Sequence, residues 1–176
     1  MKRLALVALL LLTSCTSTVT KDEAITSFAP CSSIPVKGMS ADGTFLECLD
    51  GKGELALESI EGPAVISVWA SWCTSCESQR KNFIRLYNES KGKLTVVGVD
   101  VEEKSKSDGL KHALAKGMAY PQLYDPDGRT TKVIGPGVPV TRFIDKNNVV
   151  TYLQVGPVTK YEDLKKLVAK YCGVTL

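Results

Sequence analysis

Two cysteines, Cys73 and Cys76, stand with two residues between them at the end of an apolar run. Such a pair can form a redox-active disulfide, supply half of a metal site or attach a haem. Haem attachment requires a histidine directly after the second cysteine, but Glu77 follows Cys76. A structural zinc site requires further ligands at paired spacing, yet the other cysteines are scattered and His112 is the only histidine. The pair therefore favours thiol–disulfide chemistry, with no bound metal or cofactor.

The cysteines lie where a buried strand is expected to lead into a helix. Residues 63–70 read PAVISVWA, a continuous apolar run of strand length that is typical of a strand buried on both faces. Residues 74–90 then carry Phe83, Leu86 and Tyr87 at helical spacing. The sequence thus predicts a strand, a short turn with the cysteine pair, and a long helix.

This position gives the two sulfurs different roles. At a helix N-terminus, free backbone N–H groups and the helix dipole stabilise a thiolate. We therefore expect Cys73 to be the attacking sulfur, and Cys76, one turn further and more buried, to resolve the mixed disulfide. Thr74 or Ser75 is available as the helix cap.

The rest of the chain alternates between strand and helix patterns. In order, the patterns predict a hairpin in residues 43–58, a buried strand in 94–101, an amphipathic helix in 105–117, a short strand, turn and weak helix in 120–135, a hairpin in 140–156 and a helix in 159–172. Strands that alternate with helices predict one α/β domain with a partly parallel sheet. His112 falls off the apolar face of its helix, so we expect a solvated surface histidine.

The N-terminus is typical of an exported protein. Residues 1–3 are basic at two positions, and residues 4–12 form an apolar run of nine residues, which is too short to cross a membrane. The next residues end in Cys15 and resemble the lipobox of bacterial lipoproteins, whose cysteine is lipidated after cleavage; an ordinary cleaved signal with an incidental cysteine is the alternative. We expect a signal peptide in residues 1–14.

Residues 15–30 are polar after Cys15 and lack apolar periodicity, so they are expected to be a lipid anchor and tether. Residues 31–176 form the predicted folded domain. Two acyl chains suffice for stable anchoring, which would hold this domain at the extracytoplasmic face of the cytoplasmic membrane.

The composition agrees with one globular domain and argues against a nucleic-acid partner. The chain has 176 residues, 44% of them hydrophobic and 23% charged, which is close to average for globular proteins. The formal charge of +3 includes Lys2 and Arg3, so the remainder carries 3 − 2 = +1, with no basic stripe.

Two segments carry a family resemblance. Residues 68–76, VWASWCTSC, resemble the active-site segment of the thioredoxin superfamily, and residues 120–150 resemble the downstream part of its TlpA-like extracytoplasmic branch. The resemblance runs from about residue 31 to residue 167. It implies a thioredoxin-like fold, with a central mixed sheet flanked by helices, an N-terminal β-hairpin, and an added helix–strand insert in residues 105–125.

The resemblance also implies roles for residues distant from the cysteines. In the family, a cis-proline stacks against the active-site disulfide, and the backbone of the residue before it pairs with an incoming substrate strand. Pro139 and Val138 match these positions, although composition alone would make Pro139 an ordinary loop residue. Trp72 matches the tryptophan that precedes the first cysteine.

Several positions depart from the family pattern. Thr74 and Ser75 stand where many relatives have a proline between the cysteines, and Lys81 replaces a proline that kinks the helix. Ser67 occupies the place of the buried acid of thioredoxin, and Gln79 the place of a glutamate found in some TlpA-like reductases. The familiar carboxylate base is missing from both places, which leaves the direction of electron flow open. A water held by Ser67 could take its place.

Three cysteines remain. Actinobacterial TlpA-like proteins have two cysteines in the N-terminal segment, and this resemblance implies a structural Cys31–Cys48 bridge, worth roughly 3 kcal/mol in the chain-entropy model. The alternative is that either cysteine pairs with Cys172 or stays free. With the expected bridge, Cys172 is an odd and buried thiol.

The resemblance implies a membrane-anchored extracytoplasmic thiol–disulfide oxidoreductase that exchanges its Cys73–Cys76 disulfide with exported proteins. We favour the reductase direction, with apocytochrome c as a candidate substrate and a membrane protein as the redox partner. One alternative is an oxidase or foldase. Another is a non-catalytic binding module that uses the groove around Pro139.

Overall fold

A computed structural model describes residues 24–38 and 42–176, and in these residues seven strands form one mixed sheet. The strands are β1 (Phe45–Cys48), β2 (Glu54–Ala56), β3 (Ala64–Trp69), β4 (Thr95–Val101), β5 (Gln122–Asp125), β6 (Val140–Ile144) and β7 (Val150–Val155). The helices are α1 (Thr74–Ser90), α2 (Lys106–Ala115), α3 (Thr131–Ile134) and α4 (Tyr161–Cys172). The order across the sheet is β2-β1-β5-β4-β3-β6-β7, which confirms the predicted central mixed sheet with flanking helices.

The central strands β3 and β4 hold the core together. All six residues of β3 are buried, as are six of the seven residues of β4. The two strands run parallel with Trp69 opposite Asp100 at their carboxyl ends, and α1 connects them. Because helices or turns cover both faces of such strands, their sequences are nearly continuous apolar runs. The helix α1 starts just after the carboxyl end of β3, and the cysteine pair lies at this edge of the sheet.

The predicted hairpins form the two sides of the sheet. Strands β1 and β2 pair antiparallel, and β1 adds to β5 through Cys48 opposite Leu123. Strands β6 and β7 pair antiparallel beside β3. In the second turn, Asn148 has a φ of 64°, a left-handed conformation that asparagine tolerates better than most residues.

The predicted helix–strand insert consists of α2 and β5, and β5 runs parallel to β4. Gly109 lets α2 approach β4 closely, because a Cβ atom at this position would overlap the carboxylate of Asp100. Gly117, with a φ of 69°, follows the end of α2, as expected for a helix stop.

The folded part begins before the predicted boundary at residue 31. The backbone N–H of Ile25 donates to Leu114 O at 2.9 Å, and that of Ala29 donates to Ala119 O at 2.8 Å. Phe28 between them is buried. Residues 24–30 therefore pack on the insert and do not belong to a tether, because two of their backbone N–H groups bond to it and both large apolar side chains, Ile25 and Phe28, pack against the core.

The predicted signal peptide, lipidation site Cys15 and first part of the tether lie outside the described residues. Among the residues that are described, no helix has the length and hydropathy needed to cross a membrane.

A disulfide joins Cys31 to Cys48, with their Cα atoms 5.9 Å apart. It links the N-terminal segment to β1, and both side chains are buried. Cys172 has no disulfide, and its Sγ donates to Ala64 O at 3.5 Å. Burial raises the pKa of the Cys172 thiol to about 12, so this thiol is protonated at neutral pH and reacts slowly.

Candidate active site

The cysteine pair lies in the turn between β3 and α1. Strand β3 ends at Trp69, the backbone N–H of Cys73 donates to Ala70 O at 3.2 Å, and α1 begins at Thr74. A disulfide joins Cys73 and Cys76, with their Cα atoms 5.3 Å apart. The apolar strand is fixed in the core, so it holds this turn at the carboxyl edge of the sheet.

The helix cap differs from the prediction. Cys73 itself occupies the N-cap position, with φ −85° and ψ 99°, and its Sγ accepts the backbone N–H of Cys76 at 3.1 Å. Thr74 and Ser75 are exposed and lie within the first turn. Ser75 Oγ lies 3.4 Å from Cys73 Sγ. The sulfur therefore receives one backbone N–H of the helix start, and a donor at this place stabilises a thiolate.

Burial does not separate the two sulfurs. Cys73 is 7% exposed and Cys76 is 6% exposed, so the expected deeper burial of Cys76 amounts to very little. The difference between the cysteines lies in their surroundings, since the hydrogen bond from the helix N-terminus goes to the sulfur of Cys73.

A neutral pair of side chains lies near the disulfide, at the two positions compared above with family carboxylates. Ser67 and Gln79 are both almost fully buried. Gln79 Nε2 donates to Ser67 Oγ at 3.3 Å, and Gln79 Oε1 accepts the backbone N–H of Val158 at 3.1 Å. Gln79 thereby ties α1 to β3 and to the segment before α4, so its amide has a packing role as well as its place near the cysteines.

Two of the predicted active-site support residues, Trp72 and Val138, line one groove. Trp72 is 54% exposed and its Nε1 donates to Glu102 O at 3.1 Å. Trp72 and Val138 line the same groove, which has a volume of about 230 Å³. The Val138–Pro139 peptide bond is cis. The fold thus brings together residues that are more than sixty positions apart in the chain.

The turn before the cysteines is held by a residue that sequence reasoning did not single out. The carboxylate of Glu103 accepts both the backbone N–H of Ser71 and, at 2.8 Å, its hydroxyl. Hydrogen bonds to a charged acceptor are about twice as strong as neutral ones. Glu103 therefore fastens the backbone two residues before Cys73 to the loop that follows β4.

A second unforeseen acid is Asp100 on β4. It is completely buried, and among the described residues neither carboxyl oxygen has a partner within hydrogen-bond distance. Burial, followed by the negative charge of Glu103, raises the pKa of Asp100 to about 9, so the carboxyl is neutral at pH 7. One signal was present in the sequence, because Asp100 is the single charged residue in the apolar run of residues 94–101.

The expectation that His112 is a solvated surface residue is wrong. Its ring stacks on the indole of Trp69, with centroids 5.6 Å apart and planes at 28°. Its side chain is 22% exposed, and burial lowers the pKa of the imidazole, with Glu77 partly opposing this. The helical pattern missed this contact because it places α2 correctly but does not show what α2 packs against.

His112 also lines a pocket that contains the cysteines. The pocket lies between β3, α1 and the insert and is lined by Ser67, Trp69, Ala70, Cys73, Cys76, Glu77, Gln79, Arg80, Phe83, His112, Met118 and Tyr120. Three of the polar residues that were singled out above, Ser67, Gln79 and His112, thus share one pocket with both sulfurs. No cluster of three or more residues suited to hold a metal ion occurs in the described part of the chain.

Comparisons with known proteins agree with this geometry. Residues 40–153 match the family model described as the AhpC/TSA family. Thioredoxin-like protein YneN of Bacillus subtilis (strain 168) is 29% identical over 134 residues, which cover 74% of this chain and 78% of YneN. Thiol:disulfide interchange protein DsbE of Escherichia coli (strain K12) is 30% identical over 134 residues, which cover 72% of this chain and 70% of DsbE.

Solved structures share the fold. DsbF of Mycobacterium tuberculosis superposes with a TM-score of 0.66 at 23% identity, over 76% of this chain and 99% of that one. The exposed lipoprotein thioredoxin Etrx1 of Streptococcus pneumoniae superposes with a TM-score of 0.59 at 23% identity, over 73% of this chain and 98% of that one.

Proposed function

This chain belongs to the AhpC/TSA family and is a thiol–disulfide oxidoreductase of the DsbE and thioredoxin-like type, and on that premise we propose that Cys73 and Cys76 are its redox-active pair. One observation carries the proposal: the Cys73 sulfur occupies the N-cap of α1 and accepts the backbone N–H of Cys76. A thiolate at this place gains a charge-assisted hydrogen bond and the positive end of the helix dipole.

In the proposed reaction, the Cys73 thiolate attacks one sulfur of a substrate disulfide. The substrate S–S bond breaks, its second sulfur leaves as a thiolate and takes up a proton, and a mixed disulfide forms. Cys76 then loses its proton and attacks the Cys73 sulfur, which releases the remaining substrate thiol. The substrate gains two electrons and two protons, while Cys73 and Cys76 become a disulfide; the oxidase direction is the reverse.

The surroundings of the pair support positioning of the substrate as well as reactivity. Glu103 accepts hydrogen bonds from Ser71, and the exposed side chain of Trp72 lines the same groove as Val138. We propose that an extended segment of the substrate lies in this groove and pairs with the Val138 backbone beside Pro139. Thr74 and Ser75, exposed at the start of α1, face the partner at the moment of exchange.

For direction, we propose a reductase of exported proteins, with apocytochrome c as a candidate substrate and a membrane protein as the source of electrons. The support is the relationship to DsbE and the TlpA-like pattern. Superfamily potentials range from about −270 mV for thioredoxin to about −120 mV for a strong oxidant, which is roughly 7 kcal/mol for two electrons. A potential near the oxidant end would reverse the assignment and make the protein an oxidase or foldase.

For location, we propose that residues 1–14 are a signal peptide and that lipidated Cys15 anchors the domain outside the cytoplasmic membrane, so that the tether ends near residue 24. An exposed lipoprotein among the proteins of the same fold is in keeping with this. Replacing Cys15 with alanine should abolish labelling by radioactive palmitate and move the protein out of the membrane fraction. Unchanged labelling would exclude Cys15 as the anchor.

The enzymatic proposal is tested by trapping. In a Cys76→Ala variant, partners should stay linked to Cys73 by mixed disulfides that disappear on reduction, and the Cys73→Ala variant is the matched control. Equilibration of the wild type with glutathione should show one reversible two-electron transition. If partners fail to accumulate and the pair cannot be cycled, the chain is a thioredoxin-fold binding module.

A further inference from the structure

The pocket beside the disulfide contains one group suited to carry a proton at neutral pH. Six of the residues that line it are titratable, namely Cys73, Cys76, Glu77, Arg80, His112 and Tyr120. Proton transfer is efficient when the pKa of the acid or base is close to the working pH. Besides the two thiols, a proton carrier in this pocket therefore needs a pKa close to neutral pH.

Glu77 does not meet it. Arg80 donates to its carboxylate twice, at 3.0 and 2.7 Å, and these contacts lower the pKa of Glu77 from its ordinary value. Its carboxylate therefore stays ionised and is a weak base. Tyr120 lies at the opposite extreme, since complete burial raises the pKa of its phenol far above the physiological range.

His112 comes nearest to meeting it. The ordinary pKa of an imidazole lies close to neutral pH, and burial lowers the pKa of His112, which favours the neutral ring that can accept a proton. The charges that face it come from three places and oppose one another: Glu77 and Arg80 on α1, Lys116 directly after α2, and Glu103 after β4. Glu77 Oε2 lies 4.0 Å from His112 Nε2, so an imidazolium formed here has a counter-ion.

The ring is also held in place. Stacking on Trp69 fixes its plane, and Gly109 brings α2 against β4 without a side chain between them. The pocket has about 20 Å³ for the centre of a water molecule, which is room for one bridging water. A preoriented base with space for one water is a workable proton carrier.

From this arrangement, and resting on the proposed function, we propose that His112 exchanges a proton with the Cys73–Cys76 pair across the pocket. When the mixed disulfide is resolved, the proton of Cys76 moves to the imidazole, the Cys76 thiolate attacks Cys73, and the electron pair of the broken S–S bond leaves with the substrate sulfur. The imidazolium then returns the proton to that sulfur. The histidine of the insert thus takes the place of a carboxylate near the pair, where this chain has Ser67 and Gln79.

The test compares the rate of resolution with the ionisation of His112. Wild type, His112→Gln and His112→Phe are mixed with a disulfide peptide and quenched at intervals from pH 5 to 9. His112→Phe keeps an aromatic ring for Trp69 but cannot titrate, and Lys111→Gln, an exposed position on the same helix, is the matched control. Because general acid–base catalysis contributes about 10²- to 10⁴-fold, we expect both His112 variants to slow resolution at least tenfold at pH 7.

The pH profile separates a proton carrier from a packing residue. The wild-type and Lys111→Gln rates should rise through a step at the His112 pKa measured by NMR of the ring protons, and this step should vanish in both His112 variants. The His112 pKa of the wild type should also differ between the oxidised and reduced protein. Equal pH profiles in wild type and His112→Phe, or an identical His112 pKa in both redox states, would overturn the inference.

The His112 proposal can fail without any contradiction of the proposed redox function. A protein that does not cycle with glutathione refutes the redox-active pair. If the protein cycles normally but the rate of resolution is the same in wild type and the His112 variants, only the proposal that His112 carries a proton is refuted. If both His112 variants fail to fold, the comparison of the wild-type pKa in the two redox states still decides.

Discussion

Gln79 donates a hydrogen bond to Ser67 at 3.3 Å in the core next to the disulfide. Both side chains are neutral, and the same amide accepts the backbone N–H of Val158. Gln79 thus joins α1, β3 and the segment before α4. The hydrogen bonds of Gln79 and its lack of charge lead to the first two predictions.

Replacing Gln79 with alanine should destabilise the protein. The change removes the acceptor of the Val158 N–H and leaves that buried donor without a partner, which costs about 1–3 kcal/mol. Urea unfolding measures the loss. Ser78→Ala, at an exposed neighbouring position, is the control and should stay within about 0.5 kcal/mol of wild type. Equal stability of the two variants would contradict the connecting role of Gln79.

Gln79→Glu should make stability depend on pH. The new carboxyl is buried beside the Ser67 hydroxyl and the Val158 N–H, and the guanidinium that lines the same pocket, Arg80, is engaged by Glu77. We therefore expect desolvation to dominate and to raise its folded-state pKa above its unfolded-state value. A group of this kind stabilises at low pH and loses that contribution as the pH rises through the folded pKa. The unfolding free energy relative to wild type should therefore fall between pH 5 and pH 8. A flat difference would show that the carboxylate finds a compensating partner.

Asp100→Asn should stabilise the protein at neutral and alkaline pH. The carboxyl has a folded-state pKa of about 9 against an ordinary 3.8, so its contribution is present below pH 4 and is lost as the pH rises towards 9. At pH 7 the cost is about 4 kcal/mol from 1.36 kcal/mol per unit, and the uncharged amide avoids it.

The measurement is the urea midpoint of Asp100→Asn and wild type at pH 4, 7 and 8.5. The stability gain should be small at pH 4 and largest at pH 8.5. Asp42→Asn, an exposed exchange of the same type, should show no such trend. A gain that does not change with pH would mean that Asp100 is ionised in the folded protein.

Glu103→Ala should loosen the turn before the cysteines. The carboxylate holds the N–H and the hydroxyl of Ser71, and hydrogen bonds to a charged group contribute about 1.5–3 kcal/mol. Hydrogen exchange at the Ser71 amide should therefore become about tenfold faster or more, with Glu103→Gln in between because it keeps one acceptor. Glu102→Gln, whose carboxylate is exposed, is the control. Unchanged protection of Ser71 in Glu103→Ala would refute the contact.

Removal of the Cys31–Cys48 bridge should lower stability without stopping redox chemistry. The loop spans 17 residues, and closing a loop of this length contributes about 3 kcal/mol in the chain-entropy model. The Cys31→Ala/Cys48→Ala double variant should unfold at a lower urea concentration yet still cycle with glutathione. Peptide mapping without reduction provides the check, and a peptide that links Cys172 to either residue would contradict the pairing.

Local patterns predicted the elements well because each depends on near neighbours in the chain. The apolar run of residues 63–70 became β3, and the helical spacing of Phe83, Leu86 and Tyr87 became α1. Both hairpins, and the helix and short strand within residues 105–125, were predicted from turn residues and periodicity in the same way. The resemblance supplied the further expectation of a thioredoxin-like arrangement, which the sheet order confirms.

The predictions that the structure corrected concern contacts between elements. The predicted boundary at residue 31 missed the pairing of residues 24–30 with the insert, because that segment has no periodicity of its own. Thr74 and Ser75 were the expected caps, but Cys73 takes that position once the turn after β3 is formed. In each case the deciding partner is set by the path of the backbone in three dimensions.

By itself, the sequence determined the thiol pair, its place between a strand and a helix, and the class of fold, because spacing and hydrophobic period are local properties of a chain. Only the tertiary structure decided what surrounds the sulfurs. Burial, stacking and hydrogen bonds bring His112, Asp100 and Glu103 to the strand ends from the stretch between residues 100 and 112. Since the pKa of each group depends on its desolvation and its neighbours, the proton chemistry of the site follows from packing.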